Sequence, residues 1–268
     1  VEPIGWRGIL GVVAAFTGLL VVMVLLWVPE SLPAERRHDG GLRILLDGTR
    51  ELARDHVLVR LLFINALSFG LLMAYLSAAP FVLRNVLGMG TVVYTAVFGL
   101  CGATVTVTIA VAASLVRRFS QARQVRVGLI AGLVVDTVFA GVCLTWLREP
   151  VTGPERMPLL VAVVALFLAH VACLGLSMGN APALALDRTG RWAGTGSALL
   201  GFLQFVGGGL VSPLVGLTGE ASGVAFGVVI VAVGAVANVL AVFGLRERGE
   251  KQRLAAQVTE CRQQRLGQ

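Results

Sequence analysis

The sequence predicts an all-α membrane protein with seven transmembrane helices. Composition is the first reason: of 268 residues, 56% are hydrophobic and only 14% charged, with a mean hydropathy of +0.84. A soluble domain averages about 25% charged residues, so this chain lacks the polar surface to cover itself in water. The second reason is seven apolar runs, each close to the roughly 20 residues that cross a bilayer. They are about 8–28, 58–82, 92–115, 127–147, 159–182, 194–216 and 222–245. The third is the placement of basic residues between those runs.

The first run has the apolar character of a signal peptide. It has no basic region before it and no small-residue cleavage site after it, where Val28-Pro29-Glu30-Ser31 follows. It is read as a full span. Next comes the long charged loop 29–57. Leu42, Leu45, Leu46 and Leu52 recur there at near-helical spacing against Arg43, Arg50, Glu51 and Arg54, which predicts a helix in part of it.

The second run is the most informative. It carries one mid-span amide, Asn65, and ends in Tyr75-Leu76-Ser77-Ala78-Ala79-Pro80-Phe81. The remaining runs follow with short connections. Gly128/Gly132, Gly175/Gly179 and Gly223/Gly227 have the GxxxG spacing that lets helix backbones approach in lipid.

Basic residues alternate with the crossings. One side holds Arg36, Arg37, Arg43, Arg50, Arg54 and Arg60, then Arg117, Arg118, Arg123 and Arg126, then Arg188 and Arg191. It also takes the tail, with Arg246, Arg248, Lys251, Arg253, Arg262 and Arg265. The other side has only Arg7, Arg84, Arg148 and Arg156. The richer side is therefore cytoplasmic, with the N-terminus outside and the C-terminus inside. Topology accounts for the net charge of +7, and nucleic acid is not implied. The tail 246–268 also mixes apolar residues with its arginines; it is either a segment resting on an anionic leaflet or a plain solvated tail.

Several chemistries are excluded. The sole lysine is Lys251 in the tail, so no Schiff base forms within a span. There is no HExxH, and Asp136 is the sole mid-span carboxylate, so an intramembrane protease is not supported. Cys101, Cys143 and Cys173 lie in apolar runs and Cys261 in the tail, with no metal spacing. No catalytic residue, cofactor or metal is expected; the protein is not read as an enzyme.

One span, a long basic loop and six further spans are the pattern of the later part of a transporter built from two repeated bundles. Particular residues sharpen this. Gly5-Trp6-Arg7, Pro29-Glu30-Ser31-Leu32, Tyr75-Leu76-Ser77-Ala78-Ala79-Pro80-Phe81-Val82-Leu83, Asn180-Ala181-Pro182-Ala183-Leu184-Ala185-Leu186 and Ala193-Gly194-Thr195-Gly196-Ser197-Ala198-Leu199-Leu200-Gly201 with Gln204 resemble one family. It is the bicyclomycin/chloramphenicol-resistance (Bcr/CflA) type of drug efflux transporter in the major facilitator superfamily. One departure is that Gly179 stands before Asn180 where the family usually has proline, with Pro182 following instead.

The resemblance implies proton-driven multidrug efflux by alternating access in a bacterial cytoplasmic (inner) membrane, hence antibiotic resistance. It implies the C-terminal six-helix bundle at 58–245, preceded by the last helix of the N-terminal half at 1–28. The inter-half loop is 29–57, and 246–268 is a basic cytoplasmic tail. The family's first five helices, with their charged coupling residues, are expected outside this chain. Partners implied are membrane lipid, a small-molecule drug, protons, and either a missing N-terminal half or a dimer partner. The alternative is a non-transporting membrane subunit or a truncated remnant of such a transporter.

The resemblance makes 58–82 and 159–182 cavity-lining spans. Helical spacing places Asn65, Phe69, Leu72 and Leu76 on one face, and His170, Cys173, Ser177 and Asn180 on another. These eight are the expected substrate pathway, since apolar and aromatic walls with few polar groups suit amphiphilic drugs. The rival role for the amides is hydrogen bonding between helices. Tyr75, Pro80, Gly196, Gly201 and Gln204 are expected to pack helices. Asp136 sits mid-span, where an isolated ionised carboxylate costs about 2.5–3.5 kcal/mol. It is expected to be structural, protonated and bonded to a neighbour, or else proton-coupling, with His170 as a pH-sensitive partner.

Overall fold

A hydrocarbon environment offers the backbone no hydrogen-bonding partner, so spanning segments must pair every amide internally, and helices do so. The computed structural model describes residues 5–27, 41–217 and 223–243. Within them the chain is helical with no strand, and seven helices are long and apolar enough to cross a membrane. The tail 246–268 lies outside the described residues.

The chain divides into two units, Val1–Ile44 and Leu45–Gln268. The first contains α1 (Gly5–Trp27), 23 residues of nearly unbroken apolar sequence. At 1.5 Å per residue it is about 34 Å long, enough for one crossing.

The second unit holds six spanning helices. They are α3 (His56–Pro80), α4 (Thr91–Leu115), α5 (Gln121–Thr145), α6 (Arg156–Leu186), α7 (Ala193–Val211) and α8 (Val224–Phe243). Short α2 (Leu42–Ala53) precedes them and confirms the helix predicted in the loop. All seven predicted spans are present. Helix ends and apolar runs differ by a few residues: α6 continues four residues past its run at the C-terminal end, where helical hydrogen bonding extends into the polar boundary, and α5 ends two residues short of its run.

Local signals set the ends. Asp55 caps α3, its Oδ1 accepting from the amides of Val57 and Leu58 at 3.0 and 3.2 Å. Ser120 caps α5 through the Arg123 amide at 3.3 Å. Pro80 cannot donate to the helical ladder, and the chain beyond it widens into a π-helical turn, Phe81–Val86. Pro182, by contrast, is accommodated in an α6 that runs unbroken to Leu186.

α3 and α6 form the middle of the bundle. α3 packs against α6 and α7; α6 packs against α3, α4 and α5. Glycine permits the closest approaches. A Cβ on Gly207 of α7 would fall 2.6 Å from the Ala66 carbonyl oxygen of α3, and one on Gly128 of α5 would fall 2.9 Å from the Cys173 carbonyl of α6. The other members of the predicted GxxxG pairs also face neighbouring helices: Gly175 and Gly179 meet α4, and Gly223 and Gly227 meet α5. Tyr75, Phe139, Phe167 and Phe226, from α3, α5, α6 and α8, form an aromatic cluster with centroid separations of 4.8–5.7 Å, edge-on except for the tilted Phe167–Phe226 pair.

The two ends of this bundle are tied differently. At one end the Val151 amide donates to the Val86 carbonyl and the Gly223 amide to the Leu147 carbonyl. Arg156 donates to the carbonyls of Leu87, at 2.7 Å, and Gly88. At the other end Arg188 pairs with Asp55 and Arg191 with Glu51, each at 2.6 Å. The Arg191 guanidinium holds the Glu51 carboxyl below its ordinary range. These pairs fix α2 and the start of α3 to the connection between α6 and α7.

Candidate functional site

Asp136 lies on α5 and His170 on α6, both near the middle of their helices. His170 Nδ1 and Asp136 Oδ1 are 2.5 Å apart, and the side chains are 1% and 2% exposed. Two titratable groups are thus in contact at the centre of a membrane-spanning bundle. Apolar flanking sequence, Val134-Val135 before the aspartate and Leu168-Ala169 before the histidine, fixes their depth.

With one proton between them the pair is net neutral. A cavity of about 10 Å³ adjoins the pair, lined by Leu71, Gly132, Asp136, His170, Ser177 and Gly234 among others. That is close to the smallest volume that holds one water. His170 Nε2 and Ser68 Oγ are buried with no hydrogen-bond partner among the described residues. Ser68 stands one turn before the lining residue Leu71 on α3.

The remaining amides bond between helices. Asn65 Nδ2 donates to Gln204 Oε1 at 3.1 Å, linking α3 to α7. Asn180 Nδ2 donates to Gln124 Oε1 at 3.3 Å and to the Leu176 carbonyl at 2.9 Å. Asn238 of α8 donates to the Leu129 carbonyl of α5 at 2.9 Å. The Ser77 and Ser212 hydroxyls meet at 2.6 Å.

The expected pathway residues therefore fall into two groups. Asn65, His170, Ser177 and Asn180 are buried, the last three on the side of α6 that meets α5. Phe69, Leu72, Leu76 and Cys173 are half-buried, and Phe69 packs edge-on against the exposed Phe205 at 5.4 Å. Of the expected packing residues, Tyr75 stacks on Phe98, Gly196 packs on Thr189, and Pro80 starts the π-helical turn. Gly201 has open space where a side chain would go. Gln124, Ser68, Asn238 and the Asp55–Arg188 pair were not anticipated. Mid-span or boundary polarity marked each one, but sequence alone does not name the partner.

The sequence pattern of the Major Facilitator Superfamily matches residues 1–213. The chain belongs to the Major Facilitator Superfamily. It is a multi-pass membrane protein of a transporter family, and six of its spanning helices form one unit. It is similar to an uncharacterized MFS-type transporter, YdgK, of Bacillus subtilis (strain 168), at 28% identity over 244 residues. The alignment covers 90% of this chain and 56% of that relative, so the chain spans little more than half the relative's length. No solved structure gives a significant match.

Proposed function

We propose that the chain is the later part of a transporter that exports small amphiphilic drugs in exchange for protons by alternating access, in the manner of the Bcr/CflA-type transporters. The observation that carries the proton side is the Asp136–His170 contact. A pair that is neutral with one proton, closed to water and bordered by a cavity of one water's size can release its proton only when the bundle opens. Opening to one side at a time makes that release directional.

The drug side rests on the half-buried stripe Phe69, Leu72 and Leu76 on α3, with Phe205 beside it. Broad apolar contact with few demanding hydrogen bonds suits compounds of varied shape. Asn65 supports that wall through its bond to Gln204, and Cys173, Ser177 and Asn180 belong to the expected pathway on α6, on the side that meets α5. In this reading α1 ends a first half, 29–57 links the halves, and 58–245 is the second half. The basic side, with α2, faces the cytoplasm of a bacterial inner membrane.

The competing role for the pair is a neutral staple between α5 and α6. One experiment separates the two. The protein is reconstituted in liposomes, a pH gradient is imposed, and uphill movement of the fluorescent cation ethidium is followed. The double variant D136N/H170Q keeps two groups able to hydrogen-bond but cannot titrate. Loss of uphill movement with retained downhill equilibration supports coupling at the pair. Uphill movement at the wild-type rate makes the pair a staple. No movement of ethidium by the wild type favours the non-transporting alternative for this chain.

A further inference from the structure

A second concave site lies away from the Asp136–His170 pair, at the end of the bundle where α4 turns into α5. It is a half-open groove of about 270 Å³ lined by Leu115, Phe119, Arg123, Gln124, Val127 and Leu176. Leu115 is the last residue of α4, and Arg123 lies in the first turn of α5. The groove therefore straddles the boundary between apolar core and headgroups. Its walls are apolar apart from two residues. Gln124 is already committed, donating to the Phe119 carbonyl at 3.2 Å and accepting from Asn180. That leaves Arg123, whose guanidinium lies 5.0 Å from the Phe119 ring centroid.

Arg123 is not isolated. Arg117, Arg118 and Arg126 stand on the same connection, all exposed. None of these four arginines has a carboxylate partner among the described residues. Membrane topology needs basic residues here but does not need a groove beneath them. A volume below the roughly 300–1,000 Å³ of pockets that enclose a whole drug-sized molecule suits part of a larger one. The fitting occupant has an anionic head at Arg123 and an apolar chain along Leu115, Phe119, Val127 and Leu176.

We propose that this groove binds an anionic phospholipid, with its phosphate on Arg123 and one acyl chain between α4, α5 and α6. The lipid reinforces the α4–α5 turn and the adjoining Gln124–Asn180 bond, so binding is coupled to the packing of α5 on α6. A basic pocket between helix ends beside a headgroup layer is a physically sufficient recognition element.

The test uses the delipidated full chain in detergent, titrated with dioleoyl-phosphatidylglycerol or dioleoyl-phosphatidylcholine and read by native mass spectrometry. Retained phosphatidylglycerol adducts are expected, with phosphatidylcholine held more weakly. R123Q should lower phosphatidylglycerol affinity about fivefold, the effect of one basic residue near a charged surface. V127W fills the groove without changing charge and should lower it further. R126Q, outside the groove, should change it less than R123Q does. Equal binding of the two lipids, wild-type affinity in both R123Q and V127W, or displacement by equimolar inorganic phosphate would each overturn the proposal. Displacement by free oleate alone, with R123Q unaffected, would show a chain-binding groove without headgroup recognition and would also overturn it.

Discussion

Asn65 and Gln204, 139 residues apart in sequence, share a 3.1 Å hydrogen bond that joins α3 to α7. Gly207 lies one turn beyond Gln204 and seats α7 directly on the α3 backbone at Ala66. The bond and the close approach hold the same interface.

Interhelical hydrogen bonds in membranes contribute about 0.6 kcal/mol on average and up to about 1.7 kcal/mol. Asn65→Ala or Gln204→Ala should destabilise within that range. The double variant N65L/Q204L should cost less than the sum of the singles, because neither partner is left stranded. Reversible unfolding in mixed micelles measures all three.

Gly207→Ala should cost about 1–3 kcal/mol through overpacking, since its new methyl would press on the Ala66 carbonyl. Gly209→Ala, two residues on, faces open space and should fall within about 0.5 kcal/mol of wild type. Equal effects from the two would refute the close packing of α7 on α3.

Asp55 both caps α3 and receives Arg188. Burial raises its carboxyl, but the Arg188 hydrogen bond and the Leu58 and Val57 amides outweigh that and hold it below its usual value of 3.8. A depressed folded-state value stabilises the protein above the unfolded value. That contribution is lost as pH falls through the lower one. Asp55→Asn should remove this acid-side dependence while keeping part of the cap. Asp55→Ala should cost about 1 kcal/mol from the lost cap. Melting curves of the detergent-solubilised protein between neutral pH and pH 3 report both.

Arg156 supplies two hydrogen bonds to the turn after α3. Arg156→Ala should cost about 1.5 kcal/mol, the low end for bonds to a charged group, because the site borders water. Arg156→Lys should recover only part of that loss, since a lysine cannot reproduce the two-pronged geometry. Hydrogen exchange at Leu87 and Met89 should rise in the alanine variant.

The seven spans were legible because twenty apolar residues in a row have one stable solution in a bilayer. The helix in 42–53 was legible because its leucines kept helical spacing. The site was legible only as far as residue and depth. Asp136 and His170 could be placed near mid-membrane, yet 34 residues and a helical turnaround separate them, and periodicity groups a face without naming its neighbour. His170, Ser177 and Asn180 share a face as their spacing predicts; the fold sets that face against α5. The same limit hid Gln124 opposite Asn180, and the ring cluster of Phe139, Phe167 and Phe226.

The contrast between the two ends of the six-helix unit has a practical meaning for anyone handling the protein. At the Val86, Leu147 and Gly223 end the backbone amides and carbonyls carry no net charge, and Arg156 there bonds to neutral carbonyls rather than to a carboxylate, so dissolved ions act on that end only weakly. At the opposite end the contacts Asp55–Arg188 and Glu51–Arg191 are Coulombic and partly wet, so electrolyte weakens them. A concentrated buffer acts as a one-sided solvent: it loosens α2 and the α6–α7 connection and leaves the far end closed.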